Sequence, residues 1–402
     1  MALKAGYRQT EIGPLPEDWT VEPLAKNGEV LIGLTYAPSD VRPYGTLVLR
    51  SSNIQNDALV FDDNVFVDME IPERIMVRSG DVLICVRNGS RNLIGKTALL
   101  DERTAGMTFG AFMAVFRSDH GQYINHLFRS HIMKRQIDEH LGATINQITN
   151  KSLKSFQIPV PPPGDEIEAI ATALSDVDAL LEGLDRLIVK KRDLKQAAMQ
   201  QLLTGETRLP GFEGKWQPLK FGDLTTPSHS RIDPSRAEPH EFCVELEHID
   251  QSNGRLLGWS GTTRQSSLKS AFDAGDVLFG KLRAYLRKYW LADRSGVCST
   301  EFWVLRPNPE TVGSGYLYQL VTTDRFIEAA SNAYGTHMPR SDWKVVRELE
   351  LFVPTHEEQE AISQVLSDMD AEIEALEQRR IKTANLRQAM MQELLTGRTR
   401  LV

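Results

Sequence analysis

Cysteine is scarce: Cys85, Cys243 and Cys298 are the only three in 402 residues. Three scattered thiols cannot form a disulfide framework, so the fold has to rest on a hydrophobic core. Long apolar runs are also missing. Nothing approaches the roughly 20 residues that cross a bilayer, and the opening MALKAGYRQTEIG lacks the apolar stretch of a signal peptide. A soluble, cytoplasmic chain with no membrane partner is the expectation. Basic residues are in short supply too, 46 against 54 acids for a net charge of −8, which argues at first sight against nucleic acid.

Signatures of catalysis and metal binding are equally thin. Gly89-Ser-Arg-Asn-Leu-Ile-Gly95-Lys96-Thr97 resembles a phosphate-binding loop but has five residues between its glycines where four are needed. A turn between strands is the better reading. His240, Cys243 and His248 have plausible zinc-ligand chemistry, but a ligand is missing, so no metal is expected. The nine histidines are scattered and carry no pattern.

What is present is ordinary globular composition, 41% hydrophobic and 25% charged, and a duplication. DEIEAIATALSDVDALLEGLDRLIVKKRDLKQAAMQQLLTGETRL (165–209) recurs as EEQEAISQVLSDMDAEIEALEQRRIKTANLRQAMMQELLTGRTRL (357–401), at a constant offset of 192 residues. Fainter matches surround it. Gly80-Asp-Val-Leu83 answers Gly275-Asp-Val-Leu278, AFMAVFR (111–117) answers EFWVLRP (301–307), and Trp19 answers Trp216. The chain is thus a globular region followed by a long helix, used twice. We divide it into 1–160 and 210–354, globular, and 161–209 and 355–402, helical.

The duplicated segments are helical by period. Ile170, Leu174, Val177, Leu181 and Leu184 step by three and four, as do Ile362, Leu366, Met369, Ile373 and Leu376, the seam of a coiled coil. Acids open each segment, and Gly205 and Gly397 stand where a helix C-terminal glycine belongs. About 38 helical residues span roughly 57 Å. Two such stripes predict an antiparallel pair with approximate two-fold symmetry. The globular regions read as α+β: strands over 47–55, 80–87 and 111–117, helices over 124–141 and 314–333.

Placed along the chain, the charge looks different. Each helical segment carries nine acids and six bases, and together they hold most of the excess. Between 255 and 294 the balance reverses, with eight bases against three acids. Local field, not total charge, governs binding. The strongest stretch for DNA contact is Lys281-Leu-Arg283-Ala-Tyr285-Leu-Arg287-Lys288, with Arg264 and Lys269 nearby. Its counterpart in the first copy is Arg87, Asn88, Arg91 and Lys96. The loops before the closing strands, FQIPVPP (156–162) and LELFVPT (349–355), add Asn146 and Gln147 in one copy and Thr336, His337 and Arg340 in the other.

The Pro-rich strand end, E-x-E/Q-x-AI, LS-x-x-D, heptad helix and LLTG-x-TRL, of which LS-x-x-D, the helix and LLTG-x-TRL occur twice in register, resemble the conserved regions of type I restriction–modification specificity subunits. The resemblance covers essentially the whole chain. It implies a non-catalytic DNA reader with two target-recognition domains, one for each half of a bipartite target, and a helical spacer between them. It implies double-stranded DNA, two adenine methyltransferase subunits and two motor-nuclease subunits as partners. S-adenosylmethionine, ATP and Mg would belong to those partners and no cofactor to this chain. Methyltransferase docking would fall on Gln196, Met199, Gln200 and Leu203 and on their identical counterparts Gln388, Met391, Gln392 and Leu395. Two alternatives stand beside it. A standalone methyltransferase or nuclease should show an Asn-Pro-Pro-aromatic motif, but Asn308-Pro309-Glu310 lacks the second proline and the aromatic. A coiled-coil scaffold would show no sequence preference on DNA.

Overall fold

The computed structural model describes residues 5–141, 146–162, 164–263, 265–331 and 339–401. The chain forms two compact units, residues 1–185 with 379–402 and residues 186–378. Two long helices, Glu166–Leu202 and His356–Leu394, each begin in one unit and end in the other. They have 37 and 39 residues, close to the length read from the repeat.

In the first unit the central sheet has the order Thr97–Leu99, Val82–Cys85, Met113–Arg117, Glu29–Ile32, all antiparallel. Val82–Cys85 is buried along its whole length, which explains its unbroken apolar run. The second unit repeats the plan as Tyr289–Leu291, Val277–Gly280, Phe302–Pro307, Thr225–Pro227. Each unit adds a second four-stranded sheet with one parallel pairing, Thr108–Phe109 on Thr46–Leu49 and Cys243–Val244 on Gly296–Ser299. The matched Gly-Asp-Val-Leu motifs have a common cause. Asp81 and Asp276, both buried, each take a guanidinium from the end of the neighbouring strand, Arg117 and Arg306.

Both cores reach onto the long helices. Trp19, Phe116, Phe156 and Tyr123 pack with Ile170 and Leu174 from the start of one helix and Met391, Leu394 and Leu395 from the end of the other. In the second unit Phe221, Phe279, Tyr316 and Phe326 pack with Ile362, Leu366, Met199, Leu202 and Leu203. The outer part of each apolar stripe is therefore covered by a globular core. Further along, Leu184 and Ile373 are buried, while Val177, Leu181, Met369 and Leu376 are half-buried.

The helices run antiparallel within each unit. Glu166, Asp178 and Asp185 pair with Arg400, Arg387 and Arg380 in the first, so partners on one helix descend as the other ascends. In the second, Lys191, Lys195 and Arg208 pair with Glu372, Asp370 and Glu358. Each helix opens on acids that suit its positive end, Glu166 and Glu168 or Glu357 and Glu358.

Two expectations need correction. The helices over 124–141 and 314–333 are each broken, into Gly121–Phe128 and His131–His140 and into Ser314–Thr322 and Asp324–Ser331. The cause lies in the hydroxyls at the breaks. Ser130 and Thr323 bond the carbonyls three residues back, at 2.6 and 2.7 Å, and the Thr323 oxygen also accepts from Phe326 N. The strand over 47–55 is likewise interrupted by a single helical turn at Ser51–Asn53.

Candidate nucleic-acid interface

At the outgoing end of Val82–Cys85, Val86 and Arg87 donate their backbone N–H groups to the Phe112 carbonyl, both at 3.1 Å. Arg87 also bridges Gln147, and Ile148 N returns to the Val86 carbonyl at 2.8 Å. In the second unit Lys281 N bonds the Glu301 carbonyl at 2.9 Å, Leu282 bridges Arg340, and Ser341 N returns to the Lys281 carbonyl at 2.8 Å. The basic stretch after the central strand and the loop before the closing strand, far apart in sequence, thus meet in one place. They do so in the same way in both units.

In the first unit Arg87 and Arg91 are exposed. The Arg87 guanidinium lies 4.9 Å above the Phe112 ring, itself 58% exposed. Arg91 donates to the Asp138 carbonyl at 3.3 Å. Asn88 shapes the loop: its side-chain oxygen accepts from Ser90 N and its amide donates to Ser51 Oγ. Asn146 holds Gly89 through its carbonyl at 3.1 Å, and Lys96 is half-buried beside the Ser51 carbonyl.

In the second unit Arg283 and Tyr285 are exposed on a turn, Ala284–Leu286, bounded by Arg283 and Arg287. Both arginines have left-handed backbone, φ 54° and 52°. Two such residues cost of order 1–3 kcal/mol each, and the turn is tied down by Arg283 N on the Pro339 carbonyl at 2.9 Å. Arg340 grips Glu301 through two bonds of 2.9 and 3.0 Å. Lys281 is half-buried near Glu301, Arg231 and Arg340. Burial pushes its ammonium below the ordinary lysine range, against the pull of Glu301.

Several sequence expectations fall differently. Lys269 is a core residue, 3% exposed, with its ammonium on Glu245 and Ser267, so it presents no charge to solvent. Lys288 spends its ammonium on the Leu246 and Ile249 carbonyls at 2.6 and 2.9 Å, and Arg287 pairs with Asp324. Both are structural ties within the unit. Arg264, Thr336 and His337 lie outside the described residues. Phe112 and Glu301 were missed, because each heads an apolar strand and reads as part of it.

Of the docking candidates, Met199, Leu203, Met391 and Leu395 are buried in the two cores, so no docking face contains them. Gln196, Gln200, Gln388 and Gln392 are exposed. Beside them stand Leu194 and Leu386, identical at matched positions and 47% and 56% exposed. The phosphate-loop lookalike is one helical turn, Arg91–Leu93, followed by the strand Thr97–Leu99. The supposed zinc ligands have other partners: His248 Nδ1 accepts from Glu245 N at 3.0 Å and Cys243 is buried in a strand. Among the described residues no group of histidine, cysteine and carboxylates is arranged to hold a metal ion, and no helix is long and apolar enough to cross a membrane.

Comparison with known proteins agrees with this architecture. Residues 17–189 and 258–385 match the model of the type I restriction modification DNA specificity domain. The type I restriction enzyme EcoKI specificity subunit of Escherichia coli K12 is 25% identical over 302 residues, covering 68% of this chain and 63% of that protein. The EcoDI specificity subunit of Escherichia coli is 21% identical over 313 residues, 69% of each chain. The solved S subunit of a type I restriction-modification system from M. genitalium superposes with a TM-score of 0.58 at 14% identity, covering 98% of both chains. A chain from a structure concerned with complex assembly and conformational transition of the type I R-M system gives 0.52 at 17%, covering 95% of this chain and 99% of that one. Matched in two segments that together span most of its length, the chain belongs to the family of type I restriction–modification DNA specificity domains.

Proposed function

We propose that this chain reads DNA sequence for a type I restriction–modification complex and carries no catalytic site of its own. The observation behind this reading is the strand-end site, built twice on one backbone plan and fitted with different side chains. Equal scaffolds with unequal surfaces suit a bipartite, asymmetric target, one half per globular domain, with the long helices as the spacer. The exposed Arg87, Arg91 and Arg283 supply phosphate contact. The specific part falls to side chains that can reach base edges.

Catalysis then rests with partners. Two methyltransferase subunits dock on the outward faces of the long helices, at Gln196 and Gln200 with Leu194, and at Gln388 and Gln392 with Leu386. The same pattern on both segments suits two copies of one partner. S-adenosylmethionine, ATP and Mg are bound by the methyltransferase and by two motor-nuclease subunits. The deciding experiment is single-molecule sequencing of host DNA for methylated adenine with and without this gene. A two-part motif that vanishes with the gene is expected. Tight calorimetric binding of S-adenosylmethionine by this chain alone, or a methyltransferase complex with no sequence preference in gel shifts, would overturn the proposal.

A further inference from the structure

The two strand-end sites can be aligned residue by residue from their hydrogen bonds. Phe112 and Glu301 supply the accepting carbonyls, Val86 and Lys281 the donors, and Ile148 and Ser341 the returning N–H groups. The bridged residues are then Gln147 in the first unit and Arg340 in the second. Gln147 and Arg340 therefore occupy one structural position, although the segments leading to them differ in sequence.

Their chemistry differs in a specific way. Arg340 Nε and Nη2 donate to Glu301 Oε2 and Oε1 at 2.9 and 3.0 Å. That pairing uses one edge of the guanidinium and leaves the Nη1/Nη2 edge, two parallel donors, pointing away from the carboxylate. The Arg340 side chain is 54% exposed and Glu301 only 25%, so the carboxylate anchors a guanidinium that still reaches solvent. Two parallel donors complement guanine O6 and N7. A glutamine amide, with one acceptor and one donor, complements adenine N6 and N7. Gln147 is half-buried at the matching place, where Phe112 stands in for the carboxylate and carries Arg87 across its ring.

We infer that Arg340, oriented by Glu301, reads a guanine in the half-site of the second unit, and that Gln147 reads an adenine at the equivalent base of the other half. This rests on the DNA-reading proposal and adds base identity to it. Glu301 is a positioning residue, since its carboxylate acts through the guanidinium.

The test uses the complete methyltransferase complex and reads the methylation motif, together with selection of bound duplexes from a pool randomised at both half-sites. Arg340→Gln should lower the preference for guanine at one position of one half-site by roughly 5- to 150-fold, the range for a lost bidentate pair. It should leave the other half untouched. Gln147→Arg should shift one position of the opposite half from adenine towards guanine. Glu301→Gln should keep the guanine but weaken its preference, a split that a merely structural role would not produce. Duplex selection serves any variant that binds without methylating, and Arg340→Lys serves if Arg340→Gln does not assemble. Assembled variants that retain the wild-type motif at wild-type preference in both halves would overturn the inference while leaving DNA reading intact. A wild-type complex that selects no motif would instead sink the proposal beneath it.

Discussion

Arg400 reaches back across 234 residues of chain to Glu166, donating from Nε and Nη2 to the two carboxylate oxygens at 2.6 and 2.8 Å. Its twin is Arg208 on Glu358, with Nη2 to Oε2 at 2.6 Å. Each arginine ends one copy of the repeat, and each glutamate opens the helix of the other copy. Each guanidinium also lies over a tryptophan ring, Trp19 at 5.7 Å and Trp216 at 5.5 Å. The repeats are thus interlocked, each closing the unit of the other.

That lock gives the first prediction. Glu166 is 5% exposed, so Arg400→Ala would leave a buried carboxylate without its main partner. Breaking a buried pair costs about 3–5 kcal/mol and a surface pair about 0–1. With the outer side of Arg400 and its second partner Asp18 in solvent, a loss of about 1–3 kcal/mol is expected by chemical denaturation. Arg400→Lys should recover part of it. An Arg400→Ala protein as stable as the parent would remove this pair from the account.

A second prediction concerns pH. His126 is 2% exposed, bonded through Nε2 to Ser175 Oγ and set among Asp178, Arg129 and Arg387. Burial dominates, opposed by Asp178 and aided by the two arginines, and lowers its pKa to about 4 from an ordinary 6.5. The unfolded chain therefore takes up the proton first as pH falls. This site does not affect stability above about pH 7 and lowers it progressively between pH 7 and 4, by about 1 kcal/mol at pH 5.5. In the second unit the residue that stands three after the buried Tyr316, as His126 does after Tyr123, is Gln319, also buried. His126→Gln should abolish this part of the difference between melts at pH 7.5 and 5.5. An unchanged pH difference would show that the imidazole is not its source.

Third, the repeated methionines and leucines separate from the repeated outward residues. Met391→Ala should cost about 2–5 kcal/mol, as a cavity in a packed core, because the side chain is 2% exposed. Leu194→Asp with Leu386→Asp should leave the melting temperature within a few degrees of the parent and abolish copurification with methyltransferase. Retained stoichiometry in the double variant would move the docking face elsewhere.

Fourth, Arg283→Ala should weaken DNA binding and make its salt dependence shallower by about one unit of slope if one phosphate contact is lost. Lys269→Ala should do the opposite: lower stability, because Glu245 loses its buried partner, and leave the salt slope alone. A change of slope from Lys269→Ala would contradict its burial.

Much of this was legible from the residues alone. The duplication gave two equal building plans, the heptad spacing gave two helices of nearly the right length, and the Gly-Asp-Val-Leu match marked the central strands. These are local or repeated signals, fixed by backbone periodicity and by the chemistry of a few neighbouring residues. Tertiary structure decided what each repeated residue is for. Identity of Met199 with Met391 suggested a shared partner but reflects two equal cores. Lys269 belonged to a basic stretch, yet it faces Glu245 inside a sheet. The meeting of Arg87 with Gln147 and of Leu282 with Arg340 depends on strands closing over long loops. A side chain's partner across such a distance is set by packing and register, which no run of neighbouring residues encodes.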